Sequence, residues 1–255
     1  MPRDSRSLQP PYALTLFGAI ELRGDDAAAD RLLVNNKATA LLAYLALPRP
    51  DRFVRRDMLA ALLWPELDQE RARTALRKTA FAIRQVLSER ALVSRGDEEL
   101  ALSSEIVWCD AARFNLAADE AFLLEALQLY RGELMPGFQL PDCWEFGEWL
   151  EQQRSAAREQ AAAAAWALAQ RLEHEDALTD AAKMARLSVR YSWSDERALR
   201  RALVMLDRLG DVAGALRLYD TFARRLAQEM DAEPSGETKE LAARLRRLAT
   251  PAGGP

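Results

Sequence analysis

The sequence predicts an α+β domain followed by an all-α helical-repeat domain, on three observations. Residues 12 to 112 alternate short β-type runs with short amphipathic helices. From about Phe114 onward every strong pattern is helical, with Ala, Leu, Arg and Glu dominant. In that second half, Asp176-Ala177-Leu178-Thr179-Asp180-Ala181-Ala182 and Gly210-Asp211-Val212-Ala213-Gly214-Ala215-Leu216 align at a spacing of 34 residues, the period of tetratricopeptide helix hairpins. A length of 255 residues also suits two small domains, at roughly one per 150.

The elements follow in order. After a polar lead-in over residues 1–11, Leu14 to Gly18 and Ile20 to Arg23 read as strands broken at Gly18. Arg31 to Val34 reads as a third, after a Gly24-Asp25-Asp26 turn, and the three should form a small antiparallel sheet. Asn36 can cap a helix to Leu47, stopped by Pro48 and Pro50. A second helix, about Arg56 to Trp64, turns Met58, Leu59, Leu62 and Leu63 inward and stops at Pro65. A third runs from beyond Gln69 to about Leu87. Leu92–Ser94 and Leu100–Leu102 then form a hairpin, and Ile106–Cys109 a closing strand. The long helical segment from Cys143 to Glu173 is punctuated by nothing stronger than Gly147, while Gly210 and Glu233-Pro234-Ser235-Gly236 mark turns between the later helices, and residues 251–255 are a tail.

Three helices preceded by strands and followed by a hairpin is the order of a winged helix-turn-helix, so the third helix should read DNA. Ala72, Ala75, Leu76, Thr79, Ala80, Ile83, Val86 and Leu87 fall on one helical face and should be buried. Arg73, Thr74, Arg77, Lys78, Phe81 and Arg84 then face outward. Five basic residues and no acidic one lie between Arg71 and Ser88, whereas the chain through Asp110 balances at 16 basic and 16 acidic. Such a face releases condensed counterions and reaches guanine edges. A solvated face rich in good helix formers would carry the same composition.

Three motifs of this half, Thr39 to Leu47, Arg55 to Pro65 and Ala72 to Arg77 with Ile83-Arg84, resemble the DNA-binding half of the Streptomyces antibiotic regulatory proteins (SARPs), whose winged helix is of the OmpR type. Leu127 to Phe138, Ala215 to Tyr219 and Glu233 to Thr238 resemble the same family's bacterial transcriptional activator domain. The resemblance implies a winged-helix DNA-binding domain over 12–112 and a tetratricopeptide-like activator domain over 113–250. It further implies an activator that binds direct repeats of double-stranded DNA as neighbouring protomers and contacts RNA polymerase. Arg73, Thr74, Arg77 and Lys78 would read DNA. Arg84, Arg71, Lys37, Arg55 and Arg56 would hold phosphates. The hairpin tip, Gly96-Asp97-Glu98-Glu99, departs from a wing that enters the minor groove, which should offer Arg or Lys. Ala80 is smaller than the usual family residue, which would let Phe81 help fill the space, though Phe81 could also touch a thymine methyl.

Other chemistries find little support. One histidine, His174, and two cysteines, Cys109 and Cys143, make a metal cluster or disulfide framework unexpected. No nucleophile has a base beside it, so neither catalytic residues nor a cofactor is expected. No GxxxxGK[ST] motif is present, so ATP-driven switching is not expected. Trp144, Phe146 and Trp149 read as helix packing. Without an apolar leader or a span-length apolar run, a cytoplasmic protein is expected. The rival reading is a helical-repeat adaptor or ligand sensor whose winged helix no longer reads DNA, favoured by acidic Asp97, Glu98 and Glu99.

Overall fold

The computed structural model describes residues 10–24, 28–47, 49–119 and 121–249. Most of the expected lead-in, the tail, and Asp25 and Asp26 of the expected turn lie outside these. The chain divides into two compact units between Ala157 and Arg158.

In the first unit, β1 (Tyr12–Thr15) pairs antiparallel with β2 (Glu21–Arg23), Leu14 opposite Leu22, both fully buried. Arg31–Val34 is not a third strand. It is the end of a short helix, α1 (Ala28–Leu32), and the turn after it. Ala29 and Leu32, three apart, share one buried helical face, while Val34 is 84% exposed and offers no strand side chain to a sheet. Helix α2 (Asn36–Ala46) is capped by Asn35, not Asn36: the Asn35 side chain accepts from the backbone N–H groups of Lys37 (3.0 Å) and Ala38 (3.2 Å).

A two-residue strand, β3 (Val54–Arg55), leads into α3 (Arg56–Leu63). Leu59, Leu62 and Leu63 are buried as expected, but Met58 is 48% exposed, its sulfur accepting from the Tyr44 hydroxyl. Asp68 then caps α4 (Gln69–Val86) through the Arg71 N–H. Strands β4 (Leu92–Arg95) and β5 (Glu99–Leu102) form the expected hairpin, closing on Arg95 opposite Glu99 around Gly96, whose φ of +56° suits glycine. β3 adds antiparallel to β5, giving the order β3-β5-β4. The closing strand β6 (Val107–Cys109) instead pairs parallel with β1 and takes the third place in the first sheet. That sheet is therefore mixed, correcting the expected antiparallel one.

Helices α5 (Asp110–Asp119) and α6 (Leu123–Leu129) belong to this same unit. Phe17, Phe114 and Tyr130 form an aromatic trio with centroids 4.9 to 5.6 Å apart. Asp110 accepts from the N–H groups of Leu16 (2.8 Å), Phe17 (3.1 Å) and Ala111 (2.7 Å). Gly132 passes so close to Gly18 that a Cβ there would lie 3.0 Å from the Gly18 Cα, and the Gly18 N–H donates to Glu133 O. Early in α7 (Trp144–His174), Phe146 meets Phe138 edge-on and Trp149 packs tilted against Phe146 and Tyr44, whereas Trp144 is 66% exposed and does not pack as expected. These contacts explain why the first unit reaches residue 157 rather than ending near 112.

The second unit contains the rest of α7 and α8 (Leu178–Tyr191), α9 (Glu196–Arg208), α10 (Val212–Met230) and α11 (Gly236–Ala249). Consecutive helices pack around Ala169, Ala185, Leu199, Ala202, Leu206, Ala215, Phe222 and Leu245. Small residues in that core let helix axes approach. The two aligned heptapeptides open α8 and α10, and Gly210, at φ +76°, ends α9 in the left-handed conformation.

Candidate nucleic-acid interface

The buried face of α4 holds Ala72, Leu76, Thr79, Ala80 and Ile83, with Ala75 and Val86 half-buried. That anchoring turns Arg73, Arg77, Lys78 and Phe81 outward, with Thr74 and Arg84 half-buried beside them. Phe81 is 61% exposed, so it does not fill the space beside Ala80. The outer face, the start of α3 and the tip of the β4–β5 hairpin enclose a cleft of about 900 Å³.

The fold changes the electrostatics read from the sequence. Arg56, Arg73, Arg77 and Arg84 line the cleft, but so do Asp57, Glu70, Asp97 and Glu98, so its formal charges cancel. Arg73 Nε donates to Asp57 Oδ1 at 2.6 Å. Through this bond Asp57 is held below the usual carboxylate range and Arg73 above the usual guanidinium value. A basic run on one helix says nothing about acids that α3 and the hairpin bring beside it. Asp57, sixteen residues away, carries no readable signal of this pairing.

The remaining candidates separate by what already holds them. Arg77 is exposed and, among the described residues, donates only to Thr74 Oγ1 (2.9 Å), one turn back. Lys78 is exposed and has no hydrogen-bonded or ionic partner among the described residues. Arg71 leans on Asp68 at 3.3 Å, and Arg55 lies 3.9 Å from both Asp57 and Glu98; both side chains are largely exposed.

Arg84 is committed: its guanidinium donates twice to Leu92 O (3.2 and 2.8 Å) and once to Ser94 Oγ (3.0 Å), pinning α4 to β4. Arg56 donates to the same Ser94 hydroxyl at 2.8 Å. Burial, with Arg84 beside it, lowers the Arg56 guanidinium from its ordinary value, and its buried Nε has no hydrogen-bond partner among the described residues. Two cations sharing one hydroxyl leave positive charge that an anion could satisfy.

Lys37, expected from the sequence to hold phosphate, is engaged by the fold. Its ammonium donates to Leu63 O and to Cys143 Sγ (3.2 Å), lies 3.7 Å from Glu66 and sits over the Trp64 ring. It satisfies a carbonyl at the end of α3, where cations are favoured.

Among the described residues no group of three His, Cys, Asp or Glu side chains could hold a metal, and no helix is long and apolar enough to cross a membrane. Both cysteines are buried, and burial pushes the Cys109 thiol up to about 12.

Residues 90–246, more than half of the chain, match the family described as the bacterial transcriptional activator domain, and the chain belongs to that family. The match agrees with the SARP resemblance of Leu127–Phe138, Ala215–Tyr219 and Glu233–Thr238. Among solved structures it is similar to Mycobacterium tuberculosis EmbR in complex with a low-affinity phosphopeptide, at 18% identity and a TM-score of 0.51. The likeness covers 94% of this chain and 66% of that one, and concerns the fold. No curated protein matches the chain.

Proposed function

We propose that the protein is a sequence-specific DNA-binding activator, with β3, α2 to α4 and the β4–β5 hairpin acting as an OmpR-type winged helix and α7 to α11 as tetratricopeptide-like repeats. The observation that carries this reading is the outer face of α4, where Arg73, Arg77 and Lys78 stand exposed on a helix whose opposite face is buried. Arg77 and Thr74 contact base edges in the major groove, Lys78 and Arg73 contact phosphates or bases, and Phe81 meets a thymine methyl. Arg71 and Arg55 bind flanking phosphates, and Arg56 with Arg84 draws one phosphate toward the hairpin. The acidic hairpin tip stays clear of the minor groove.

Neighbouring protomers occupy direct repeats near a promoter and the helical unit contacts RNA polymerase, in the cytoplasm and without catalysing a reaction. Binding is therefore cooperative, because each bound protomer raises the effective concentration of the next. The test selects genomic fragments on the purified full chain and titrates the winner with one and two half-sites. Selected direct repeats bound more tightly than either half alone support the reading; no enrichment of any sequence overturns it.

A second reading, a protein-interaction adaptor, is favoured by the four carboxylates in the cleft and by the Asp57–Arg73 pair, which blunt attraction to phosphate. It expects a protein partner and no DNA enrichment.

A further inference from the structure

In the helical unit, α8 and α10 flank a groove of about 420 Å³ that the DNA-reading proposal leaves unused. Residues 214, 217, 218, 221, 222 and 225 of α10 line it at three- and four-residue spacings, so one helix face runs along it for about 16 Å at 1.5 Å per residue. Its surface is mostly apolar: Val189 from α8, Leu218 and Phe222 from α10, and the Trp193 ring from the following turn.

Among the described residues four arginines and no acidic side chain line this surface, in contrast to the cleft beside α4. Two are already engaged. Arg186 bonds Asp211 at 2.5 Å, and Arg225 bonds Glu229 at 2.7 Å with its guanidinium 4.2 Å from the Trp193 ring centroid. Arg190 on α8 and Arg217 on α10 are exposed, and among the described residues neither guanidinium has a carboxylate or hydrogen-bond partner. An apolar surface that also carries two guanidinium groups without a described carboxylate partner complements a molecule with an apolar body and an anionic head, because Arg forks hold carboxylate or sulfonate oxygens in pairs.

Size selects the class. Small-molecule pockets run about 300 to 1,000 Å³. We propose that the α8–α10 groove binds a small organic anion with an apolar body, its head held by Arg190 and Arg217 and its body resting on Trp193, Leu218 and Phe222. This is independent of the DNA reading.

The test is a fluorescence titration of the full chain with anilinonaphthalene sulfonate, without DNA, followed by displacement with decanoate, decanol or an acidic amphipathic peptide. Saturable binding displaced by decanoate and not by decanol is expected. Arg190→Ala with Arg217→Ala should weaken it about tenfold or more, since each charge-assisted bond is worth about a tenfold factor. Thr221→Phe, at an exposed position lining the groove, should abolish it by filling the space. Circular dichroism unchanged in both variants assigns the loss to the groove. Absence of saturable binding, binding indifferent to both variants, or displacement by the peptide alone overturns the proposal.

Discussion

Arg73 on α4 and Asp57 on α3 are joined by a 2.6 Å bond across the cleft where DNA is proposed to dock. Any phosphate or base contact by Arg73 must compete with that carboxylate. Asp57→Asn removes the competing charge and leaves a hydrogen-bond acceptor. It should tighten DNA binding and steepen the dependence of log K on log salt by about 1 per protomer, as one more cation becomes available. Fluorescence anisotropy at several salt concentrations checks this; an unchanged slope would mean that Arg73 stays away from DNA.

Leu76 and Arg77 are adjacent in sequence and opposite in role, the first 1% exposed and the second on the outer face. Leu76→Ala should cost about 2 to 5 kcal/mol of stability through lost burial and a cavity. Arg77→Ala should leave the melting curve in place and cost about 1 to 3 kcal/mol of specific binding through loss of one base contact. Thermal melts paired with binding titrations separate the two, and the reverse assignment would show that the facing of α4 is misread.

The facing of α4 was legible because the helical period sorts its side chains without help from the rest of the fold. The hairpin, the three helices after residue 35 and the long helix after Cys143 were legible for similar local reasons. What escaped depended on distant partners. Parallel pairing of β6 with β1, ninety-odd residues apart, leaves no trace in either strand and displaced the expected strand at Arg31–Val34. The charge of the cleft escaped for the same reason: its carboxylates come from α3, from the first turn of α4 and from the hairpin. Lys37 looked like a surface cation because nothing near it in sequence announces Leu63 O or Cys143.

The division after Ala157 makes its own prediction. A fragment ending at residue 112 loses Phe114, Tyr130, Met135 and Phe146, whose side chains are all buried, and leaves Phe17 without the rest of its aromatic trio. It should lack a cooperative melt, whereas residues 1–157 should melt cooperatively. Equal cooperativity in the two fragments would restore the boundary expected from sequence.

Asp110 and Glu196 should impose opposite pH trends. Burial raises the Asp110 carboxyl above its ordinary 3.8, more than the N–H groups of Leu16, Phe17 and Ala111 lower it. Between 3.8 and the raised native value the native state therefore holds a proton that the unfolded chain has released. Its contribution is fully present below 3.8 and is lost as pH rises through the raised native value. The advantage of the wild type over Asp110→Asn should shrink in that direction. At Glu196 burial raises, but bonds from Ser235 and Thr238 prevail and hold the carboxyl below 4.5. That stability is present above 4.5 and is lost as pH falls through the depressed value, so the advantage over Glu196→Gln should shrink toward acid. Melting temperatures from about pH 3 to about pH 7 check both signs, the window spanned by ordinary and shifted carboxyls.

The central claim, that the outer face of α4 docks on DNA, is tested most directly by the salt dependence of binding to a selected fragment, for the wild-type chain and for Arg77→Ala with Lys78→Ala. The expected slope of log K on log salt is about −4 to −7 for a protomer pair, made shallower in the double variant by about 1 to 2 per protomer. A salt-independent affinity, or a double variant with the wild-type slope and affinity, would contradict it.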